Sequence, residues 1–297
     1  MPYRPFNRLP LLALLLPVLA SAQGTSTLDK IKQTGSMTLA YRESSIPFSY
    51  LDDKAQPIGF GYEICQKVVD AVKRATGRAD LKLQYQAVTS ANRIPLLQNG
   101  TIDIECGSTT NNSERAKQVT FATNYFYTGT RFLVKSGTNV AKLGDLAGKT
   151  VVSTTGTTNF QIIRRLNEEQ KLGIDLLGAK DHAESALLVE TGRAVAFGMD
   201  DILLYGLRAS SKSPADLAVV GEPIQVEPYA IMVRRDDPAF KKLVDDTLAG
   251  MMKSGEFEAL YKKWFQSPIP PKGINLQVPM SKELTDNLKA LSDKPAM

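Results

Sequence analysis

The sequence predicts an α/β fold made of two domains, and three observations lead to this prediction. The chain has 297 residues, which exceeds what a single hydrophobic core usually serves. Its 43% hydrophobic and 23% charged residues are ordinary for a globular protein and argue against disorder or a fibrous repeat. Strand-like and helix-like segments alternate along the chain, and this alternation is typical of a largely parallel sheet covered by helices.

Residues 1–22 have the pattern of a secretory signal peptide and are excluded from the predicted fold. Arg4 and Arg8 precede an apolar run at 9–20, and Ala20-Ser21-Ala22 is a small-x-small cleavage pattern. The alternative is an N-terminal membrane anchor, but the run is shorter than the roughly 20 apolar residues that span a bilayer. The residue directly after the cleavage pattern is Gln23 and not a cysteine, which argues against a lipoprotein anchor. We therefore expect an exported mature chain that begins at Gln23.

The first predicted unit follows the leader and alternates helices with strands. Its longest helix, at 61–76, places Ile64, Val68 and Val72 on one apolar stripe and ends at Gly77. Apolar and polar residues alternate at 81–87, which predicts a strand. The remaining segments are helices at 28–33 and 113–118, a short helix with Pro95 in its first turn that ends at Gly100, and strands at 38–41 and 102–106.

The second predicted unit begins after Gly148 and is smaller. Its strands are predicted at 150–153, near 176–177, at 194–199 and at 218–220, and its helices at 158–171 and 183–190. The chain then returns with a strand at 229–234, a long helix that opens at Asp237-Pro238 and runs to 253, and an amphipathic helix at 256–265. Prolines at 268, 270 and 271 predict an extended C-terminal tail.

Composition excludes several function classes. The formal net charge is +5, and this excess is too small and too evenly spread to indicate nucleic-acid binding. The chain has one histidine and two cysteines, so the common Cys/His zinc motifs are excluded and no metal site is expected. Gly156 and its neighbouring threonines lack the lysine of a phosphate-binding loop. We therefore expect no metal and no cofactor.

Polar stretches at strand ends and helix starts supply the candidate binding residues. Sheets of the α/β type bind ligands at the carboxyl ends of their strands. The stretches are at 41–45, 89–93, 106–110, 113–115 and 154–158, and at 181–182 with 199–201. They contain Arg42, Arg93 and Arg115 together with many hydroxyls, and this combination suits carboxylate groups because guanidinium pairs with them in a bidentate manner. Asp200 could hold an ammonium group.

Long runs of residues across the whole mature chain carry a resemblance to a known family. They are RESSIPFSY at 42–50, NRIPLLQNG at 92–100, ECGSTTNN at 105–112, NEEQK at 167–171, GRAVAF at 192–197 with Asp200-Asp201, and WF with PIPPK at 264–272. The chain resembles the periplasmic glutamate/aspartate-binding proteins of ABC importers, within the type II, or family 3, solute-binding proteins. This resemblance implies a two-lobed fold with the ligand in the cleft between the lobes. Lobe 1 would comprise 23–129 and 229–297, lobe 2 would comprise 130–228, and the hinge crossings would lie near 129–133 and 226–230.

The resemblance also implies which part of an amino acid each candidate residue contacts. Arg115, Ser108 and Thr110, with Thr155 or Thr158, would bind the α-carboxylate; Asp200 would bind the α-ammonium; Arg42, Ser90, Arg93 and His182 would hold the side-chain carboxylate. Alternatives remain open from the residues alone. Asp201 could replace Asp200, the threonines could only cap a helix, and isolated arginines are usually solvated. Three arginines against Asp200 also leave a positive excess, which dipoles or neighbouring acids would have to offset.

The implied function is that of a non-enzymatic binding protein of the periplasm. It would capture L-glutamate and L-aspartate as a monomer, close about its hinge, and deliver them to the membrane permease of an ABC importer. The alternative is an enzyme on the same scaffold, such as a cyclohexadienyl acid dehydratase. Such an enzyme needs a general acid or base that is free of the ligand's ammonium, and Asp200 already has a binding role. A third possibility is docking of the loaded protein on a receptor.

Two expectations concern single side chains. Export permits a disulfide between Cys65 and Cys106, although two buried free thiols fit the sequence equally well. His182 beside a ligand carboxylate should take up a proton, so that binding strengthens as the pH falls from 8 towards 6. In the competing case the field of Arg42 and Arg93 keeps His182 neutral, and it acts only through hydrogen bonds.

Overall fold

The computed structural model describes Met1 and residues 26–296. The predicted signal peptide at 1–22 lies, apart from Met1, outside the described residues. Within 26–296, every helix is too short or too polar to span a bilayer.

The described chain alternates helices and strands as an α/β protein. The helices are α1 Thr27–Thr34, α2 Phe60–Thr76, α3 Arg93–Gln98, α4 Ser113–Ala116, α5 Thr158–Glu169, α6 His182–Glu190, α7 Asp201–Ser210, α8 Pro238–Ser254, α9 Glu256–Phe265 and α10 Lys282–Ala290. The strands are β1 Ser36–Tyr41, β2 Ser44–Ser45, β3 Ser49–Leu51, β4 Pro57–Ile58, β5 Lys82–Ala87, β6 Ile104–Glu105, β7 Thr120–Lys135, β8 Thr150–Thr154, β9 Asp175–Ala179, β10 Ala196–Asp200, β11 Leu217–Val220 and β12 Val226–Val233. Short 3₁₀ turns occur at Leu143–Leu146 and Pro214–Asp216.

The main sheet has two parallel halves joined by an antiparallel pair of strands. Its order is β5-β1-β6-β12-β7-β10-β8-β9, with β11 also paired to β7. Strands β1, β5 and β6 run parallel in the first half, and β8, β9 and β10 run parallel in the second. Because the strands of each half are parallel, their carboxyl ends meet at one edge, where loops can converge on a ligand.

Strand β7 crosses from the first half of the sheet to the second and was not predicted from the sequence. It pairs with β12 from Thr120 to Gly129. From Thr130 onwards it pairs instead with β10, and from Phe132 with β11. Most of its residues are buried, so the strand shows no alternation of apolar and polar residues that could have revealed it.

A cluster of aromatic rings packs beneath the antiparallel pair in the first half. The ring of Phe48 lies 4.9 Å from that of Phe126 and 5.1 Å from that of Tyr229, measured between centroids. Helix α2 packs its stripe of Ile64, Val68 and Val72 into the same core, as its periodicity predicted. Aromatic pairs in edge-to-face contact add to the stability of such a core. The packing fixes Tyr229, whose hydroxyl reaches the ligand-binding region described below.

Cys65 and Cys106 form a disulfide in the structure. Their Cα atoms are 5.7 Å apart, within the usual range for a disulfide. Cys65 lies in α2, and Cys106 follows β6 directly. The bond therefore ties the core helix to the start of a loop that carries several candidate binding residues.

The C-terminal segment contains helix α10, where the sequence predicted only an extended tail. Ser281 caps this helix by accepting from the amide of Leu284, whose side chain is buried. The residues after α10 bind the polar loop that follows β6. Asn111 donates to the carbonyl of Asp293 at 2.8 Å, and the amide of Ala296 donates to the carbonyl of Asn111 at 2.9 Å. The tail therefore supports the loop that carries Thr110 and Arg115.

Candidate ligand-binding site

Loops from both halves of the sheet close around a small cavity. Its lining side chains come from loops after β5, β6, β8 and β9 and from the end of β10. They are Ser90, Arg93, Ser108, Thr110, Arg115, Thr157, Thr158, Asn159, His182, Met199, Asp200 and Leu203. The wider groove between α2 and α8 is open to solvent and contains none of the candidate residues. The small cavity suits a small solute rather than a macromolecule.

Two buried arginines lie at one end of the cavity, Arg93 in its lining and Arg42 behind it. Arg42 and Arg93 are 1% and 2% exposed. Arg42 donates through Nη2 to Ser90 Oγ at 3.0 Å and to His182 Nε2 at 3.2 Å. Among the described residues, Nη1 of Arg42 and both Nε and Nη1 of Arg93 have no hydrogen-bond partner. Buried donors without an acceptor are costly, so this end suits an anionic group with several acceptor positions.

Burial and the charge of Arg93 lower the pKa of Arg42 to about 9. The shift arises because two guanidinium groups share a site with little solvent. An anion bound between them would remove this unfavourable interaction, since an opposite charge favours the charged form of each arginine. The electrostatics therefore agree with the unpartnered donors in pointing to a carboxylate.

Arg115 connects the two halves of the site. Its Nη1 donates to the carbonyl of Thr110, and its Nη2 donates to the carbonyl of Gly156, each at 3.0 Å. The short helix α4 positions it, because Asn112 caps the helix by accepting from the Arg115 amide. Burial and the charge of Arg93 lower the pKa of Arg115 to about 10. Two of its five N–H donors are used in these bonds, and the side chain lines the cavity.

His182 is held in a neutral form by its neighbours. Arg42 only donates, so Nε2 of His182 must accept; Nδ1 therefore carries the proton and donates to Thr154 Oγ1 at 2.9 Å. Burial and the charges of Arg42 and Arg93 lower the pKa of His182 well below its ordinary value. The structure thus favours the neutral imidazole, against the expectation that His182 gains a proton. Thr154, which lies in the predicted polar stretch at 154–158 but was not among the predicted ligand contacts, orients the ring.

Asp200 is buried at the end of β10 with a donor on each oxygen. Asn159 donates to Oδ1 at 2.7 Å, and the Tyr229 hydroxyl donates to Oδ2. Burial and the nearby charge of Glu227 raise the pKa of Asp200 to about 7. The alternative contact, Asp201, accepts instead from the hydroxyl of Thr128 at 2.6 Å and does not line the cavity. The structure therefore favours Asp200 as the group that meets a cation.

Two buried carboxylates near the arginines were missed by the sequence reasoning. Glu227 and Glu105 are both 0% exposed. Oε2 of Glu227 accepts from the hydroxyls of Thr110 and Thr158, each at 2.6 Å, and Oε2 of Glu105 accepts from Thr109 at 2.6 Å. Together with Asp200, these two glutamates place three carboxylates near the three arginines. They are the neighbouring acids that offset the positive excess noted in the sequence. A glutamate inside an otherwise apolar strand segment was the available signal.

The candidate threonines are placed differently from one another. The hydroxyl of Thr155 donates to the carbonyl of Ala179 at 3.0 Å, and this residue does not line the cavity. Thr157 caps helix α5 by accepting from the amide of Phe160, and Thr158 lines the cavity. Of the alternatives Thr155 and Thr158, the structure brings only Thr158 to the site, where Thr110 also lies. Arg42 also lies outside the lining and acts from behind Ser90 and His182.

Comparison with known proteins identifies the family. Residues 37–267 match the family model described as bacterial extracellular solute-binding proteins, family 3. The chain belongs to this family. The family that the motifs predicted is therefore confirmed, and so is the predicted α/β fold of the type II periplasmic binding proteins.

Curated relatives cover nearly the whole of the solute-binding protein. It is 50% identical over 285 residues to the L-glutamate/L-aspartate-binding protein of Pseudomonas aeruginosa, covering 96% of this chain and 94% of the relative. It is 48% identical over 276 residues to the glutamate/aspartate import solute-binding protein of Escherichia coli, covering 93% and 90%. These relatives are binding proteins and not enzymes, and the expectation of a non-enzymatic protein is confirmed.

A solved structure shows the same fold. An ancestral arginine-binding protein bound to arginine aligns with a TM-score of 0.70 and 27% identity, covering 78% of this chain and 98% of that chain. The solute-binding protein shares with it the arrangement of a mixed sheet and flanking helices. In residues 26–296, no group of three or more His, Cys, Asp or Glu side chains is arranged to hold a metal ion.

Proposed function

We propose that this solute-binding protein captures L-glutamate and L-aspartate and delivers them to the permease of an ABC importer. The observation that carries the proposal is the pair of buried arginines at one end of the cavity: Nη1 of Arg42 and both Nε and Nη1 of Arg93 lack partners among the described residues. A second carboxylate on the ligand would satisfy them, and a neutral side chain would not. The names of the relatives from Pseudomonas aeruginosa and Escherichia coli support the same ligands.

The proposed ligand spans the cavity from Arg93 to Asp200. Arg93, with Ser90 beside it and Arg42 behind, would bind the side-chain carboxylate. Arg115 and Ser108 would bind the α-carboxylate, and Asp200 would bind the α-ammonium. His182 would act indirectly, because its Nε2 already accepts from Arg42. Charge-assisted bonds of this kind are stronger than bonds between neutral groups, so each end of the ligand is recognised by its charge.

We propose that capture occurs by closure of two lobes, 23–129 with 229–297 and 130–228. The change of partner along β7 after Gly129 supports this division. Contacts across it include the bond from Arg42 to His182 and the bond from Arg115 to the carbonyl of Gly156. A ligand that touches both sides stabilises the closed arrangement by its differential contacts. The cleft between the lobes would open when these contacts separate.

We further propose that the protein works in the periplasm as a monomer after removal of residues 1–22. The leader pattern and the word import in the name of the Escherichia coli relative support this location.

The test is calorimetric titration of the refolded mature protein with each of the twenty amino acids, because refolding removes ligand carried through purification. We expect L-glutamate and L-aspartate to bind far more tightly than any neutral or cationic amino acid. The matched variants are Arg93→Ala and Arg74→Ala, since Arg74 is an exposed arginine of α2. Arg93→Ala should weaken glutamate binding strongly, and Arg74→Ala should leave it unchanged. If a neutral amino acid bound more tightly than L-glutamate and L-aspartate, the proposal would be overturned.

A further inference from the structure

Glu227 is a fully buried carboxylate in β12 that contacts both proposed lobes. Its Oε2 accepts from the hydroxyl of Thr110, in the loop after β6, and from the hydroxyl of Thr158, at the start of α5. Its Oε1 accepts from Gln225 Nε2 at 3.0 Å. The three partners all donate, which is the arrangement that an ionised carboxylate requires.

The bonds to Glu227 decide what the two threonine hydroxyls can offer a ligand. A hydroxyl has one proton to donate and two lone pairs that accept. The two hydroxyl oxygens also lie 3.3 Å apart, where either could donate to the other. The bonds from Thr110 and Thr158 to Glu227 are much shorter, at 2.6 Å each, so both hydroxyls give their proton to Glu227. Each hydroxyl lines the cavity and has only lone pairs left to present there. A ligand carboxylate, which has no proton to give, finds no partner in such oxygens.

Asp200 lines the same cavity, and its partner Asn159 follows Thr158 directly in α5. The two oxygens of Asp200 and the two threonine oxygens form a set of acceptors, and the negative charge of Glu227 lies close enough to raise the pKa of Asp200. A protonated amino group supplies three N–H donors and a positive charge. It is therefore the group that both satisfies the acceptors and relieves the repulsion between the two carboxylates.

We propose that Glu227 is a positioning residue that makes the site select a protonated α-amino group, by holding Thr110 and Thr158 as acceptors. This inference rests on the proposed function and reassigns the two threonines, which the family resemblance placed on the α-carboxylate. Thr110 and Thr158 belong to different proposed lobes. Glu227 can therefore accept from both hydroxyls only when the lobes are closed. Recognition of the amino group is thereby linked to closure.

The test compares L-glutamate with glutarate, which has the same two carboxylates and no amino group. The readout is the ratio of the glutarate to the glutamate dissociation constant, measured by calorimetry. We expect Glu227→Gln to lower this ratio by about tenfold or more, the usual scale for a hydrogen bond to a charged group. The amide of Gln would donate to one threonine and free that hydroxyl proton to turn towards the cavity.

Glu105→Gln is the matched control, because it removes the same charge from an equally buried carboxylate near the arginines without touching Thr110 or Thr158. Its ratio should stay within threefold of wild type. An unchanged ratio in Glu227→Gln, or an equal change in Glu105→Gln, would overturn the inference. The first outcome would show that Glu227 has no role in selecting the amino group. The second would show that the change in ratio comes from the lost negative charge and not from the bonds to Thr110 and Thr158.

Thr158→Val keeps the test decisive if Glu227→Gln does not fold. The substitution removes one hydroxyl at nearly constant shape. If Thr158 accepts from the amino group, glutamate loses affinity, glutarate loses little, and the ratio falls. If Thr158 instead binds the α-carboxylate, both ligands weaken alike and the inference is wrong. If the wild-type protein does not bind glutamate, both the proposed function and this inference are overturned. If the wild-type protein binds glutamate but the variants keep its ratio of glutarate to glutamate dissociation constants, only the inference is overturned.

Discussion

Glutamate affinity should rise with pH between 6 and 8, because Asp200 must be ionised to pair with the ligand's ammonium. Burial and Glu227 raise its pKa to about 7 in the cavity without ligand, and a bound cation lowers that pKa again. With a pKa of about 7, roughly one Asp200 in eleven is ionised at pH 6 and roughly ten in eleven at pH 8. The dissociation constant should therefore be about tenfold larger at pH 6, a loss of about 1.4 kcal/mol.

The sign of this dependence distinguishes Asp200 from His182. A histidine that gained a proton on binding would strengthen the complex as the pH falls. In the structure, burial and the charges of Arg42 and Arg93 hold the pKa of His182 well below its ordinary value, so the imidazole stays neutral across this range. The carboxyl groups of free glutamate also remain ionised above about pH 5.5, which leaves Asp200 as the group that titrates.

The assay is calorimetric titration at pH 6, 7 and 8 in two buffers with different enthalpies of protonation. At pH 6 binding should release close to one proton, and at pH 8 very little. Asp200→Asn should bind more weakly with a flat profile, and His182→Gln should keep the wild-type slope. Affinity that increases as the pH falls from 8 to 6, or a wild-type slope retained by Asp200→Asn, would refute the reasoning.

Three further predictions follow from the same structure. Glutamine should bind at least about a hundredfold more weakly than glutamate, because an amide leaves a buried arginine unpaired at a cost of roughly 3–5 kcal/mol; binding within threefold by calorimetry would contradict the arginine assignment. Arg115→Ala should abolish binding of both ligands and Arg93→Ala should mainly erase their discrimination, whereas equal losses of both ligands in both variants would refute the division of roles. Replacing Cys65 and Cys106 together by alanine opens a bridge between residues 41 positions apart and should lower the free energy of unfolding in urea by about 4 kcal/mol; a change below about 1 kcal/mol would show that the bridge contributes little.

Local patterns revealed those elements whose two sides differ. Helix α2 has one apolar stripe and one polar face, and its periodicity showed it within a residue of its observed bounds. Strand β7 is buried on both sides for most of its length and carries no such contrast, so its 16 residues went unrecognised. Helix α10 was missed because the prolines before it suggested an extended segment, while the cap at Ser281 and the burial of Leu284 favour a helix.

Some residues of the site could likewise be predicted from local sequence, and others could not. Arg93, Ser108 and Arg115 could be found because they stand in polar stretches after strands. Glu227 is marked locally only as a glutamate in an otherwise apolar strand segment. Its role could not be predicted, because its partners Thr110 and Thr158 are 117 and 69 positions away. The neutral state of His182 likewise depends on Arg42, 140 positions away. The sequence shows the residue types, but it does not show which distant residues come into contact in the fold.

The bond between the C-terminal tail and the loop after β6 offers a place for an optical reporter. Ala296 pairs with Asn112 and shares a surface groove with Thr158 and Gln161, which belong to the other proposed lobe. The chain has two cysteines, and both are consumed in the Cys65–Cys106 bridge. In an Ala296→Cys variant the new thiol would therefore be the single position open to a maleimide dye. The fluorescence of that dye would report the approach of α5 when the amino acid binds.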